Sequence, residues 1–171
     1  LHDALPISIH GKSGNDFIYG DGATSGMTGC EGVTPGADKL WGGSGNDAMY
    51  GGSNGPQPLA VESMYGGSGK DKMQGLTRND DMFGQKGADD VNGGWGDDYL
   101  FAGETDLTTN EIVISGENGD KLTGGPGKDR FDCGGLSHTI IRDFNPNEDS
   151  MFNCILPPGT LNIIHCIGSN D

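Results

Sequence analysis

Residues 66–101 read GGSGKDKMQ GLTRNDDMF GQKGADDVN GGWGDDYLF when cut every nine letters. Each line has an aspartate at its sixth place (Asp71, Asp80, Asp89, Asp98) and an apolar residue at its eighth (Met73, Met82, Val91, Leu100). A catalytic centre needs a few groups to converge once. A period of nine asks for the same local job again and again, which is how a solenoid is written in sequence.

The frame extends in both directions. The full pattern G-G-x-G-x-D-x-apolar-x occurs at 42–50, 66–74, 93–101 and 124–132. Looser copies occupy 11–19, 75–83, 84–92 and 115–123, and residues 36–41 hold the second half of another. The sixth-place aspartates are Asp16, Asp38, Asp47, Asp71, Asp80, Asp89, Asp98, Asp120 and Asp129, and Glu62 and His138 take that place in two degenerate copies. Glycine at the first, second and fourth places lets the backbone turn through positive φ without a Cβ clash. Gly43, Gly45, Gly67, Gly69, Gly87, Gly94, Gly96, Gly125 and Gly127 hold the second and fourth places. So tight a loop turns carbonyl oxygens inward, which suits a hard cation, and the sixth-place carboxylate adds negative charge at the same spot. These aspartates and glycines are the candidate metal-binding set. The closing x-apolar-x is a short strand with its middle side chain buried.

The repeated unit resembles the RTX (repeats-in-toxin, or hemolysin-type) calcium-binding nonapeptide family, over most of residues 11–132. That resemblance implies an all-β fold, a right-handed parallel β-roll in which each nonapeptide is half a turn and Ca2+ ions sit between stacked loops. Two half-turns make a rung, so Asp71 lies over Asp89 and Asp80 over Asp98, each pair placed to bridge one ion. Insertions near 20–35, 53–61 and 102–114 break the register. If each is one enlarged loop, the carboxylates form two ladders: Asp16, Asp47, Asp71, Asp89 and Asp120 on one edge, and Asp38, Glu62, Asp80, Asp98 and Asp129 on the other. Arg78, Asn118 and Pro35 depart from the pattern and weaken their own copies.

The composition fits a metal-dependent roll. The chain has 171 residues with 33 Gly, only 32% hydrophobic residues, and a formal net charge of -15 from 25 acidic and 10 basic side chains. Such a charge argues against nucleic acid and anionic membrane as partners and for cations. The expected core is one apolar residue per copy: Ile18, Leu40, Met49, Met64, Met73, Met82, Val91, Leu100, Leu122 and Phe131. So thin a core, beside stacked carboxylates, predicts repeats that are largely unfolded until dications bind, so that binding energy becomes folding energy.

The glycine period stops at residue 132, and residues 133–171 are expected to cap the open end of the solenoid. HTIIRDFNPNEDSMF at 138–152 resembles the segment that follows many RTX arrays, with Ile140, Ile141, Phe144, Met151, Phe152, Ile155 and Leu156 as the cover and TLNIIHCIG at 160–168 as a further strand. Of Cys30, Cys133, Cys154 and Cys166, the last two close a short loop and are one candidate disulfide; free buried thiols are the alternative. The opening LHDALPIS (residues 1–8) reads as one frame of a sequencing adapter, so the sequence is expected to be a fragment of a longer protein, with residues 1–8 not biological.

Other motifs fail on context. GGSNG at 51–55 fits the hydrolase G-x-S-x-G, but no apolar strand precedes it and Pro56 and Pro58 follow. NPNEDS at 145–150 has EF-hand-like spacing without its glycine or closing glutamate. The histidines are scattered and no H-E-x-x-H occurs. At the ninth place, alternate copies carry Trp41, Tyr65, Phe83 and Phe101, an expected ring ladder along one sheet; it either stabilises the sheet or serves a glycan or protein partner. The other sheet shows Tyr50, Gln74, Asn92 and Thr123 in that place. The expectation is a secreted or cell-surface calcium-binding segment without enzymatic activity of its own. The alternatives are the C-terminal secretion and stability module of an exported protease or lipase, and a spacer of a surface adhesin.

Overall fold

The computed structural model describes residues 8–20, 37–52, 61–106, 111–113, 119–134 and 139–154. Its first strands are β1 (Ser8–Ser13), β2 (Phe17–Tyr19), β3 (Lys39–Ser44), β4 (Ala48–Gly52), β5 (Glu62–Gly69), β6 (Lys72–Thr77), β7 (Asp80–Gly87) and β8 (Asp90–Trp95). They are followed by β9 (Tyr99–Phe101), β10 (Glu104–Asp106), β11 (Glu111–Val113), β12 (Lys121–Thr123), β13 (Arg130–Asp132), β14 (Ile140–Ile141) and β15 (Ser150–Phe152). No helix is long and apolar enough to cross a membrane among the described residues.

Two parallel sheets face each other, one ordered β1-β3-β5-β7-β9-β13-β15 and the other β14-β12-β8-β6-β4-β2. Successive copies alternate between them, so each nonapeptide is half a turn. Pairing is place on place: Met64 lies beside Met82, Tyr65 beside Phe83, and Gly67 beside Gln85. The x-apolar-x strands explain why, because a slip of one residue would turn every apolar side chain out to water. All ten expected core residues are buried, none more than 4% exposed.

The register runs through the insertions. β3 pairs with β5 across residues 53–61, and β12 pairs with β8 across 102–114. Within the third insertion, β10 and β11 form an antiparallel hairpin, with β10 alongside β7. The first strand, β1, begins at Ser8, with Ile9 beside Leu40.

Past residue 132 the glycines end, but the sheets do not. Ile141 stacks on Leu122, and Met151 on Phe131. Ile141 and Phe144 pack against the core, as expected of a cover. Ile140 and Phe152 do not: they are 53% and 41% exposed. Strand alternation is the reason, since each is the neighbour of the inward residue; Phe152 instead lies under the guanidinium of Arg130, 4.5 Å away. Ile155, Leu156 and residues 160–168 lie outside the described residues.

The disulfide corrects the sequence expectation. Cys154 bonds Cys133, with Cα atoms 4.8 Å apart. Parallel pairing of β13 and β15 brings the chain after Asp132 beside the chain after Phe152. Spacing along the sequence favoured Cys166 as partner because it cannot see that adjacency.

Candidate metal centre

The two carboxylate ladders lie along the two edges of the roll, where the turns stack. On the first edge the backbone N–H of Asp16 donates to Asp47 Oδ1, that of Asp47 to Asp71 Oδ1, that of Asp71 to Asp89 Oδ1 and that of Asp89 to Asp120 Oδ1, at 2.8–2.9 Å. On the second, Asp38 donates to Glu62 Oε2 at 3.2 Å and Glu62 to Asp80 Oδ1 at 3.3 Å. Asp80 then donates to Asp98 Oδ1 at 2.9 Å and Asp98 to Asp129 Oδ1 at 3.0 Å. One oxygen of each acceptor carboxylate is thereby consumed by the preceding rung.

The other oxygen is not. Oδ2 of Asp16, Asp47, Asp71, Asp80, Asp89, Asp98, Asp120 and Asp129 is buried without a hydrogen-bond partner. A buried ionised oxygen left in that condition is strongly unfavourable. The first-place glycines show what surrounds it. A Cβ built on Gly66 would lie 2.6 Å from Asp71 Oδ2 and 2.5 Å from the carbonyl oxygen of Gly84 in the next turn. The same pairing of carboxylate and carbonyl surrounds Gly11, Gly42 and Gly75. First-place glycine is therefore required for space, whereas the sequence reading assigned it positive φ.

Positive φ belongs to the second and fourth places. Gly43, Gly45, Gly67, Gly69, Gly87, Gly94, Gly96, Gly125 and Gly127 all have φ between 103° and 156°. At Gly69 a Cβ would also overlap the carbonyl of Gly45, so both conformation and space exclude a side chain. Lys12, Leu76, Gln85 and Arg78 take positive φ without being glycine, each a locally strained position.

Burial dominates the electrostatics. It pushes the Asp80 carboxyl up to about 9, with further contributions from the Asp98 and Glu62 carboxylates. Asp89 rises to about 8 and Asp98 to about 7, again mainly by burial. Asp71, Asp120 and Asp129 rise to about 6 for the same reason, each partly offset by the N–H it accepts. Without a compensating cation Asp80 and Asp89 resist ionisation at neutral pH. A hard dication fits the donor set, which is carboxylate and backbone carbonyl oxygen throughout. Among the described residues no three His, Cys, Asp or Glu side chains converge on one point, so carbonyls must supply much of any coordination shell.

Several participants escaped the sequence reading. Asp149 extends the second ladder, its Oδ1 accepting from Asp129 N–H at 2.9 Å and its Oδ2 from Asn145 N–H at 2.7 Å. Asp143 accepts from Gly124 and Gly125 N–H at 2.9 and 2.8 Å. The signal for Asp149 was present: D-S-M-F at 149–152 repeats places six to nine without their glycines. Fifth-place side chains form an outer ladder in the opposite sense, Asn15 Oδ1 accepting from Asn46 N–H, Asn46 from Lys70, Asn79 from Asp97, and Asp97 from Lys128. In the copy assigned to His138, pairing of Lys121 with Ile140 puts Thr139 opposite Asp120; His138 is outside the described residues.

The ring ladder forms as the sequence implied, but not all of it is available. Trp41 stacks on Tyr65 at 5.5 Å and Tyr65 on Phe83 at 4.9 Å, with His10 extending the row. Phe101 is buried and meets Phe83 edge-on.

Stacked half-turns with glycine turns and two carboxylate–carbonyl ladders define a parallel β-roll of metal-binding type. The model of the RTX calcium-binding nonapeptide repeat family matches four copies, over residues 8–24, 34–54 and 65–103, and the repeats of this chain belong to that family. The copies at 115–123 and 124–132 lie beyond the match yet stack in register with it. No curated protein and no solved structure matches the chain.

Proposed function

We propose that this segment binds a row of Ca2+ ions along each edge of the roll and folds as it does so. The ligands are the Oδ2 atoms of Asp16, Asp47, Asp71, Asp80, Asp89, Asp98, Asp120 and Asp129, together with turn carbonyls from the glycine-rich places, and Asp38 contributes on the second edge. The observation that carries this reading is the line of buried, partnerless Oδ2 atoms, those of Asp16, Asp47, Asp71 and Asp80 each beside a first-place glycine that also faces the carbonyl of the next turn. A divalent ion converts each from a destabilising group into a cross-link between rungs. Flexible, carbonyl-rich turns favour calcium over magnesium, which demands a stricter octahedron.

Extracellular calcium modules bind in the range of about 10⁻⁴–10⁻³ M, so the chain stays open in the cytosol and folds after export. The Cys133–Cys154 bond supports the same oxidising destination. Residues 133–171 act as the cap, since Asp143 and Asp149 accept the N–H groups that a further rung would otherwise receive.

A circular-dichroism titration tests the proposal. The β signal is expected to rise from a disordered baseline in chelator to a plateau at millimolar Ca2+. An identical β spectrum across that range would overturn it.

A further inference from the structure

The first turn of the first edge repeats the hydrogen-bonding groups of every later turn, but has nothing before it to use them. Oδ1 of Asp47, Asp71, Asp89 and Asp120 each accepts the sixth-place N–H of the preceding turn. Asp16 opens that ladder, and among the described residues no N–H reaches its Oδ1. Two donors are left over in the same way. Seventh-place N–H groups donate back to the sixth-place carbonyl one turn earlier: Ala48 to Asp16, Lys72 to Asp47 and Asp90 to Asp71, at 2.8–2.9 Å. Fifth-place N–H groups donate back to a fifth-place side chain, Asn46 to Asn15 and Lys70 to Asn46. Phe17 and Asn15 hold those two places in the first turn, with no earlier turn on this edge among the described residues.

The strand after this turn is open as well. β2 is the terminal strand of its sheet. It reads Phe-Ile-Tyr, without the charged residue or proline that commonly blunts an exposed edge, and Phe17 is 62% exposed. What fits the open side is what the repeat itself supplies. A sixth-place N–H meets Asp16 Oδ1, a sixth-place carbonyl meets Phe17 N–H, and a fifth-place Asn or Asp meets Asn15 N–H.

We propose that residues 11–19 form a docking edge for one further nonapeptide turn, with glycine at places one, two and four, Asn or Asp at five and Asp at six, presented by a partner polypeptide and added in parallel register. Main-chain hydrogen bonds carry the affinity, as in other strand additions. The eighth-place side chain lies beside Ile18, and an aromatic ninth place extends the stack of Tyr19 on Tyr50, whose centroids are 4.9 Å apart. A second copy of this chain does not fit. Parallel addition would offer its last turn on this edge, where Cys133, whose N–H bonds Phe152 as that of Gly20 bonds Tyr50, stands at the first place. Thr139 stands at the sixth, opposite Asp120. Glycine and aspartate are both missing from that turn. With them present, the added turn and the Gly11 carbonyl make one more cradle of the kind Gly11 makes with the Gly42 carbonyl; that part rests on the calcium reading.

A dye-labelled peptide with the sequence of residues 42–50, GGSGNDAMY, tests the edge. Titrated against the full chain in millimolar CaCl2, it is expected to bind saturably by fluorescence anisotropy and to slow hydrogen exchange at the Asn15 and Phe17 amides. N-methylation of the peptide's aspartate amide removes the N–H meant for Asp16 and is expected to weaken binding about tenfold. Phe17→Pro removes only an outward N–H, a change edge strands accept. It is expected to abolish peptide binding and keep the calcium-induced circular-dichroism signal, while Phe17→Ser, which retains the N–H, binds like the parent. No binding to a parent folded in calcium overturns the proposal, as does equal binding of the N-methylated peptide. Self-association that Phe17→Pro abolishes, without peptide binding, overturns it in favour of a second copy. If circular dichroism does not respond to calcium, the metal reading falls separately; peptide binding with protection at Phe17 would still support the edge, and its absence would remove it too.

Discussion

In the middle of the roll and at its C-terminal end, the same residue type meets two different fates. Asp89 gives one oxygen to the N–H of Asp71 and leaves the other buried without a partner. Asp149, one rung past the last nonapeptide, accepts an N–H on each oxygen, from Asp129 and Asn145. Asp143 likewise uses both oxygens, on Gly124 and Gly125. Where stacking continues, the carboxylate is left half-satisfied, and under the proposed function an ion completes it. Where stacking ends, the chain satisfies the carboxylate itself. Under the same proposal, the difference separates groups that make folding depend on calcium from groups that terminate the array.

The sharpest way to break this comparison is to mutate both kinds. Asp89→Asn keeps the Oδ1 acceptor but removes the charge. It is expected to lose at least one ion and to raise the calcium midpoint of folding about tenfold, about 1.4 kcal/mol. Asp149→Ala is expected to leave the ion count unchanged and to lower stability in saturating calcium by about 1–2 kcal/mol, through its two abandoned N–H groups. Calorimetric titration and urea unfolding read the two effects. Equal loss of ions in both variants would erase the distinction.

A second expectation concerns pH without calcium. The folded-state carboxyls of Asp80, Asp89 and Asp98 sit at about 9, 8 and 7, above the unfolded value of about 4. The folded form therefore binds more protons than the unfolded one between these limits, and its stability falls as pH rises through that window. In chelator, acidification from pH 8 to pH 5 is expected to increase β structure. In calcium the trend reverses, because protons compete with the ion. A chelator titration flat in pH would contradict the burial of these groups.

The most local effect concerns the end alone. Cys133 and Cys154 are 21 residues apart, so their bond contributes about 3 kcal/mol to the segment it closes. Reduction, or Cys133→Ser, is expected to speed hydrogen exchange in β15 while leaving calcium binding by the middle rungs intact. Exchange that rises across the whole roll would make the end a condition for the array rather than its cover.

Much of this was legible in the letters because the repeat is local. One nonapeptide contains its own turn, its own strand and its own carboxylate, so a period of nine was enough to place Met49, Met73 and Leu122 in the core and to order Asp16, Asp47, Asp71, Asp89 and Asp120 along one edge. Glycine at the first place was visible too, though its reason was not: the approach of Asp71 Oδ2 and the Gly84 carbonyl to Gly66 comes from two different half-turns. The glycines also concealed the end of the array. Once they stopped, the stacking of Met151 on Phe131 could no longer be read from the pattern.

The sequence by itself determined the unit, the two-sheet alternation and the chemistry of the ligand atoms, because each depends on neighbours within about nine residues. Only the tertiary structure decided which oxygens lack partners, that Asp149 closes a ladder and that Cys154 meets Cys133. These relations join residues one rung apart, across insertions of unequal length. Distance along the chain does not encode them; parallel register does.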